Sequence, residues 1–395
     1  MSVPSTLKPI LLKVPGVAGW RRARLLRRYT PLAQPWDGGY LDKTLGILRL
    51  SGSWREIGRA VARIGGGNEF VSAGLATLAR LPESVRRDIH QRAERAFVHT
   101  ARALPQLPQL LDGFCDGSSM PREDVVLAHC ITAVAASLVP RSCGAIAWMT
   151  PTGPVIGQSL DLGLINDTAV ALVEPTDGIS FVCHMNVGTL WFATGINAPG
   201  VVIGGASVTV RRDLPTSPDC FVHPFVDLLV LANASSRTAA IELLRAARPY
   251  GGAGEGSAHV VADRNSLSTV EIAHDRVVEH VGSPAVVTNH FELDGMPALE
   301  AGDPDAARSR QLSVCRRGSA LAMLAHNPSH DVATLTAFVE AGDRSDSWNR
   351  SAVAPDDGWT TARYVIDVPG RRFTSWQGPR PGCPTPVSLD LAILD

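Results

Sequence analysis

Apolar residues recur at roughly helical spacing through the first 142 positions of this 395-residue chain, and in short strand-like runs after them. From Ser53, the stretch SWREIGRAVARIGGG places Glu56 three residues beyond a serine cap and ends in a helix-breaking glycine run. Residues 80–103 read as a second helix, and 106–114 and 123–138 complete an alanine- and arginine-rich helical block. After Cys143 come AIAWM, PVIGQSL, AVALVEP, SFVCHMNVG, LWFATG and GVVIGGASVTV, divided by PTG, EPTDG and NAPG turns. HVVADRN, STVEIAHDRVVEHV and AVVTNHF follow. TTARYVIDVPGRRFTSWQG reads as a closing hairpin that turns at Pro369-Gly370. Helical pieces intervene at 224–247 and 309–324. Strands with helices segregated between them predict an α+β fold of two helix-covered sheets. With no internal repeat and no low-complexity linker, the chain reads as one compact unit with a helical lead-in.

Composition narrows the partners. At 45% hydrophobic and 19% charged residues the chain is globular and can bury a sizeable core. A net charge of -1 argues against nucleic acid, because neutralising phosphates needs a clustered Lys/Arg surplus. Small molecules are the expected partners. The only lysines are Lys8, Lys13 and Lys43, so arginine carries nearly all the positive charge. Seven scattered cysteines without a C-x-x-C pair fit a reducing, cytoplasmic setting and argue against a disulfide framework or zinc finger. The opening MSVPSTLKPILLKVPG has only a short apolar patch broken by prolines, so no signal peptide is expected. The apolar run 125–140 contains His129 and falls short of the ~20 residues of a membrane span, so it reads as a buried helix. Residues 20–29, WRRARLLRRY, read as a solvated helix face, with a membrane-surface patch as the alternative.

Neither a metal nor a cofactor is expected. The histidines show no H-E-x-x-H spacing, and the glycine-rich 251–256 lacks the lysine of a phosphate cradle. Trp148, Trp191 and Phe192 read as core, with an acyl pocket as the alternative. The chemistry centres instead on Cys143, in RSCGAIAW, where the texture switches from helix to sheet. A cysteine at the start of a strand can act as a nucleophile if something takes its proton. One route pairs it with His184, His259 or His290. The other cuts the bond before Cys143, so that the freed α-amino group, with a pKa near ~8, serves as base for its own side chain.

An ordered set of short motifs resembles the acyl-coenzyme A:6-aminopenicillanate acyltransferase family of N-terminal-nucleophile (Ntn) proteins. The set comprises Cys143, then GQSLD ending at Asp161, GINAPGVVIGG at 195–205, and Thr288-Asn289-His290-Phe291. The resemblance extends to LRLSGSWREIG at 48–58, QLLDGFCDGSSMPREDVVLAH at 109–129 and the closing hairpin, covering about residues 40–390 in the same order. It implies an αββα sandwich of two antiparallel sheets between helical layers. It also implies self-cleavage between Ser142 and Cys143, giving a 1–142 helical pro-segment (α-chain) and a 143–395 catalytic β-chain that stay together as a heterodimer.

The same resemblance implies the roles of individual residues. Cys143 would be nucleophile and, through its amine, base. Asp161 would hold that amine and thiol, and the Asn289 amide would donate to the oxyanion, with strand-end and turn-forming roles as their plainer alternatives. Gln158 stands where hydrolase relatives carry arginine and acyltransferase relatives glutamine. Arg310 would help organise the cysteine and aspartate, in a register left open by Arg308, Arg316 and Arg317. Ala206 and Ser207 stand where the family places a second oxyanion donor, which is therefore unassigned here. The implied activity is transfer of an acyl group from a small-molecule amide or thioester to an amine or water, in bacterial specialised metabolism such as antibiotic biosynthesis. The alternative is an uncleaved binding or partner protein of the same fold.

Overall fold

The computed structural model describes residues 41–395 apart from 43–46, 65–70, 73–74, 77, 80, 136–140, 163–167, 212, 215–216, 252–253, 341–358 and 378–385. The arginine-rich segment 20–29 lies outside the described residues, as do Gly252 and Ala253 of the glycine-rich stretch.

Two sheets pack face to face between helices, which is the helix–sheet–sheet–helix layering of an α+β sandwich. The larger sheet has nine strands: β1 (Leu41–Asp42), β2 (Ile47–Gly52), β5 (Thr168–Pro175), β6 (Phe181–Asn186), β7 (Phe192–Asn197), β8 (Val202–Thr209), β9 (Glu255–Ala262), β10 (Leu267–Ala273) and β11 (Arg276–Val281), in that spatial order. The smaller runs β12 (Ala285–Val287), β3 (Arg141–Thr150), β4 (Gly153–Leu162), β13 (Trp359–Asp367), β14 (Arg372–Gln377) and β15 (Val387–Asp390). All neighbours are antiparallel except β2 and β5, which run parallel with Leu48 opposite Ala171. The lead-in thus adds two strands, β1 and β2, to the large sheet, a pairing that local patterning could not show.

Alternation along each strand divides the apolar residues among three cores. Between the sheets, Ala145, Ile156 and Leu160 of the small sheet meet Val182, Ala206 and Val260 of the large one. On the outer face of the large sheet, Leu172's neighbours Ala171 and Val173 join a core filled by α1 (Trp54–Arg63), α2 (Glu83–Ala103), α3 (Leu107–Ser118), α4 (Arg122–Ala135), α5 (Val226–Asn233) and α6 (Arg237–Ala246). On the outer face of the small sheet, Ile146, Trp148 and Val365 pack on α7 (Pro304–His326) and α8 (Val332–Glu340).

Local chemistry explains the helix starts. Ser53 and Glu56 form the expected capping box, with Ser53 N–H donating to Glu56 Oε2 at 2.7 Å and Glu56 N–H to Ser53 Oγ at 3.3 Å. Asp303 caps α7 and Pro304 occupies its first turn. The expected helix at 224–247 is two helices, divided at Ala234 and restarted by Ser236, whose Oγ accepts from Ala239 N–H. The run STVEIAHDRVVEHV is likewise two strands, turned at His274, which adopts φ 54°. Helices α1 and α3 cross closely because Gly113 has no side chain: a Cβ there would lie 1.9 Å from Arg55 O.

Trp148 and Phe192 are core residues, and Trp191 is half-buried against the same core as Phe192. Trp148 is fully buried and stacks on His330, Phe192 meets Phe181 edge-on, and Trp191 reaches the His129 carbonyl at 3.4 Å. No helix among the described residues is long and apolar enough to cross a membrane.

Candidate active site

Sheet register brings the sequence motifs together. Cys143 is the third residue of β3 and lies opposite Leu160 of β4, with both side chains in the core between the sheets. On β12, Val287 faces Ala145. Two residues further along this antiparallel pairing, Asn289 arrives beside Cys143 as the chain leaves the sheet. Cys143 N–H donates to Asn289 Oδ1 at 2.8 Å, and Asn289 Nδ2 donates to the Ser207 carbonyl of β8 at 2.7 Å. These partners fix the orientation of the amide, since turning it over would set a donor against a donor and a carbonyl against a carbonyl.

The opposite face of β4 carries Ser159 and Asp161, two residues apart and both fully buried. The guanidinium that meets them comes from α7 and belongs to Arg316. Its Nη2 donates to Ser159 Oγ at 2.9 Å and lies 3.1 Å from Asp161 Oδ2. Its Nη1 donates to the Cys143 carbonyl at 3.2 Å and to Asn289 Oδ1 at 3.4 Å. One planar cation therefore ties together the nucleophile candidate, the asparagine and the aspartate. Lysine could not reproduce that fork.

Arg310, named from the sequence for this part, is instead exposed and pairs away from Cys143 and Asp161. Its Nε donates to Glu300 Oε2 at 2.9 Å. The correction follows from helix geometry. The buried stripe of α7 is Ser313, Arg316, Ala320 and Leu324, and Arg310, six positions before Arg316, lies at the edge of this stripe, about 120° around the helix from Arg316.

Asn289 also differs from expectation in what it holds. Its oxygen accepts from the Cys143 backbone N–H, and one amide hydrogen is committed to Ser207. Ser207 thereby enters through its carbonyl, whereas Ala206 packs between the sheets.

Gln158 faces the core between the sheets and not the arginine. Its Nε2 donates to Gly205 O at 2.8 Å and its Oε1 accepts from Thr194 Oγ1 at 3.1 Å. A Cβ on Gly204 would lie 2.3 Å from Gln158 Oε1, so the glycine pair in GINAPGVVIGG makes room for this cross-sheet contact.

The histidines considered as partners are engaged elsewhere. His184 is fully buried and stacks on Tyr364, with burial holding it neutral and its pKa down to about 3. His259 lies 3.4 Å from Asp227, and burial lowers its pKa against the pull of that carboxylate. His290 bonds Ser313 Oγ at 2.7 Å and Glu292 Oε1 at 2.7 Å. Around the site, burial raises the Tyr364 phenol far above its usual range. Burial also lowers the pKa of Arg363, opposite Ser159 in register, while Glu340 and Asp161 oppose the shift. Among the described residues no group of three or more His, Cys, Asp or Glu side chains could hold a metal ion.

Sequence reasoning left Arg316 as one of several open registers and gave Ser159 no role. The signal for Arg316 was the Leu324–Ala320 stripe, which extends back four residues to reach it. It was obscured by Val314 and Leu321, apolar residues that are exposed on the same helix.

No protein-family model matches the chain, and no curated protein matches it in sequence. Among solved structures the chain is similar to a mutant conjugated bile acid hydrolase from Clostridium perfringens, at 12% identity and a TM-score of 0.43, over 64% of this chain and 93% of that one. It is also similar to a Caenorhabditis elegans ortholog of N-acylethanolamine-hydrolyzing acid amidase, at 14% identity and a TM-score of 0.38, over 60% and 100% of the two chains.

Proposed function

We propose that this chain is an Ntn cysteine acyl-transfer enzyme that cuts itself between Ser142 and Cys143 and then carries acyl groups on the Cys143 thiol. The observation that carries this reading is the double grip on one residue: Asn289 accepts from the Cys143 N–H while Arg316 donates to the Cys143 carbonyl. A core cysteine needs no such hold, whereas a nucleophile whose own amine must serve as base does.

Self-cleavage begins when the Cys143 sulfur adds to the Ser142 carbonyl carbon. The C–N bond breaks, its nitrogen takes a proton, and a thioester joins Ser142 to the sulfur. Water then adds to that thioester, the C–S bond breaks, and a Ser142 carboxylate, a free thiol and the Cys143 α-amine remain. In the acyl cycle this amine takes the thiol proton as sulfur attacks the donor's carbonyl, and returns it to the leaving group. Asn289 Oδ1, which holds the amide N–H of the uncleaved chain, holds the amine afterwards. The second hydrogen of its Nδ2 is the group available to the oxyanion. Asp161 acts through Arg316, whose charge it balances. Gln158 supports the site from the opposite face of β4.

The substrate class is an acylated amine or an activated acyl ester, with an amine or water as acceptor. An acyltransferase outcome requires that the amine binds and water is kept from the thioester. Specialised metabolism, including antibiotic biosynthesis, is the setting we propose for it. The test is intact mass measurement of the 143–395 fragment after incubation with acyl thioesters. The reading expects one acyl adduct, on Cys143, that disappears when an amine is added. A fragment that never gains mass would instead favour a binding protein of this fold.

A further inference from the structure

The segment after Asn289 is held in an unusual way. Three consecutive backbone N–H groups are each received by a carboxylate: Phe291 by Glu300 Oε1 at 2.6 Å, Glu292 by Glu271 Oε1 at 2.6 Å, and Leu293 by Glu271 Oε2 at 3.0 Å. The two glutamates come from separate places. Glu271 lies on β10, opposite Ala258 and Val278, and Glu300 follows the short turn at Pro297–Leu299. On the other side of the segment, Thr288 Oγ1 donates to the Ser313 carbonyl and His290 Nδ1 bonds Ser313 Oγ. Asn289 therefore sits between a helix anchor and a pair of anionic anchors.

Such anchors are costly in isolation, because a carboxylate loses its hydration on burial. Glu271 is 1% exposed, and burial pushes its pKa up to about 7 in spite of the two amide bonds that favour the charged form. Glu292 and Glu300 raise it further. Glu300 is balanced by Arg310, and Glu292, at 3.7 Å, by Arg317, while His290, whose pKa burial lowers, meets Glu292 through a hydrogen bond. Charge-assisted bonds to backbone N–H are stronger and more directional than the neutral bonds of a strand edge. They suit a backbone that must stop pairing with β3 at Val287 and still deliver Asn289 to the Cys143 nitrogen.

We propose that Glu271 and Glu300 are positioning residues for Asn289, forming a two-carboxylate clamp on the amides of 291–293 that sets where the Asn289 amide lies relative to Cys143. Arg310 belongs to this clamp as the counter-ion of Glu300. The inference rests on the acyl-transfer reading above.

The test measures Cys143 acylation by p-nitrophenyl octanoate in the self-cleaved protein, for wild type, Glu271→Gln, Glu300→Gln, Asn289→Ala and Glu271→Gln with Asn289→Ala. Glu300→Gln leaves Glu271 in place, so the clamp is still tested if the other variant folds poorly. Each glutamine variant is expected to slow acylation at saturating ester by about tenfold, with KM little changed. Amide exchange of the peptide containing 289–293 should quicken while that of β10 and β11 is preserved. In the Asn289→Ala background, Glu271→Gln should add little further loss, because it acts through Asn289. Wild-type rates in both glutamine variants, or losses that simply multiply in the double variant, would overturn the clamp while leaving acyl transfer standing. A wild-type protein that takes no acyl group would remove the acyl-transfer reading and the clamp with it.

Discussion

Arg316 Nη2 lies 3.1 Å from Asp161 Oδ2 with the two side chains 3% and 0% exposed, although the residues are more than 150 positions apart in the chain. Two opposite charges buried this deeply gain from each other only while both are present. The pair also sets the orientation of a guanidinium whose other nitrogen reaches Cys143 and Asn289. On the proposed mechanism, stability and chemistry depend on the same contact.

Removing one partner should therefore be severe. Arg316→Met leaves the Asp161 carboxylate uncompensated, at a cost on the order of 3–5 kcal/mol, and Asp161→Asn does the converse. Urea titration measures the loss. Arg316→Lys should recover part of the stability but little of the self-cleavage, since an ammonium cannot fork between Ser159, Asp161 and Cys143.

The orientation of Asn289 can be tested with a single atom. Asn289→Asp keeps an acceptor for Cys143 N–H but sets a carboxylate oxygen against the Ser207 carbonyl. Self-cleavage followed on denaturing gels should slow by about 100-fold, the loss typical of one misplaced oxyanion-site amide. Cleavage at the wild-type rate would mean that the Ser207 contact is dispensable.

How much of this was legible in the sequence depends on the range of each interaction. The strands after Cys143 were readable because β-branched runs and Gly/Pro turns act locally, and Ser53 with Glu56 announced a cap within four residues. The place of β2 was not, because its parallel partner β5 begins more than 100 residues later. Cys143, Asp161 and Asn289 were named as candidates from short motifs, and the register of β3, β4 and β12 brings their backbones together. The choice between Arg310 and Arg316 stayed open because a sequence does not show which arginine of a helix faces inward when apolar residues are exposed beside it. The carboxylate anchors of 291–293 join distant segments and leave no local trace.

Buried histidine gives a pH signature. Burial holds His184 neutral with its pKa down to about 3, so its folded pKa lies below the ordinary 6.5. The neutral form is what folds, and the associated stability is present above pH 6.5 and is lost as pH falls towards 3. Between pH 7 and 5 this residue should cost the protein about 2 kcal/mol. His184→Phe keeps the stack on Tyr364 and removes the titration, so its urea midpoint should change less over that range than the wild type's. Its acylation rate at pH 7 should match wild type, whereas a histidine acting as base for Cys143 would make this variant inactive.

The lead-in should remain attached after cleavage. Strand β2 is hydrogen-bonded beside β5, and α1, α2 and α3 fill the same core as the outer face of the large sheet. Size-exclusion chromatography under native conditions should show one species near 42.0 kDa, and denaturant should separate it into two. Refolding of the 143–395 portion alone is expected to fail, since that portion would expose this core to water.

The most direct test of the account is the N-terminus of the processed protein. Mass spectrometry and N-terminal sequencing of purified wild type should find fragments of about 15 and about 27 kDa, dividing the 42.0 kDa chain in proportion to residue number, with the larger beginning at Cys143. Cys143→Ala should remain a single chain under the same conditions. A wild-type protein that stays intact, or that is cut at another bond, would contradict the claim that Cys143 becomes an N-terminal nucleophile.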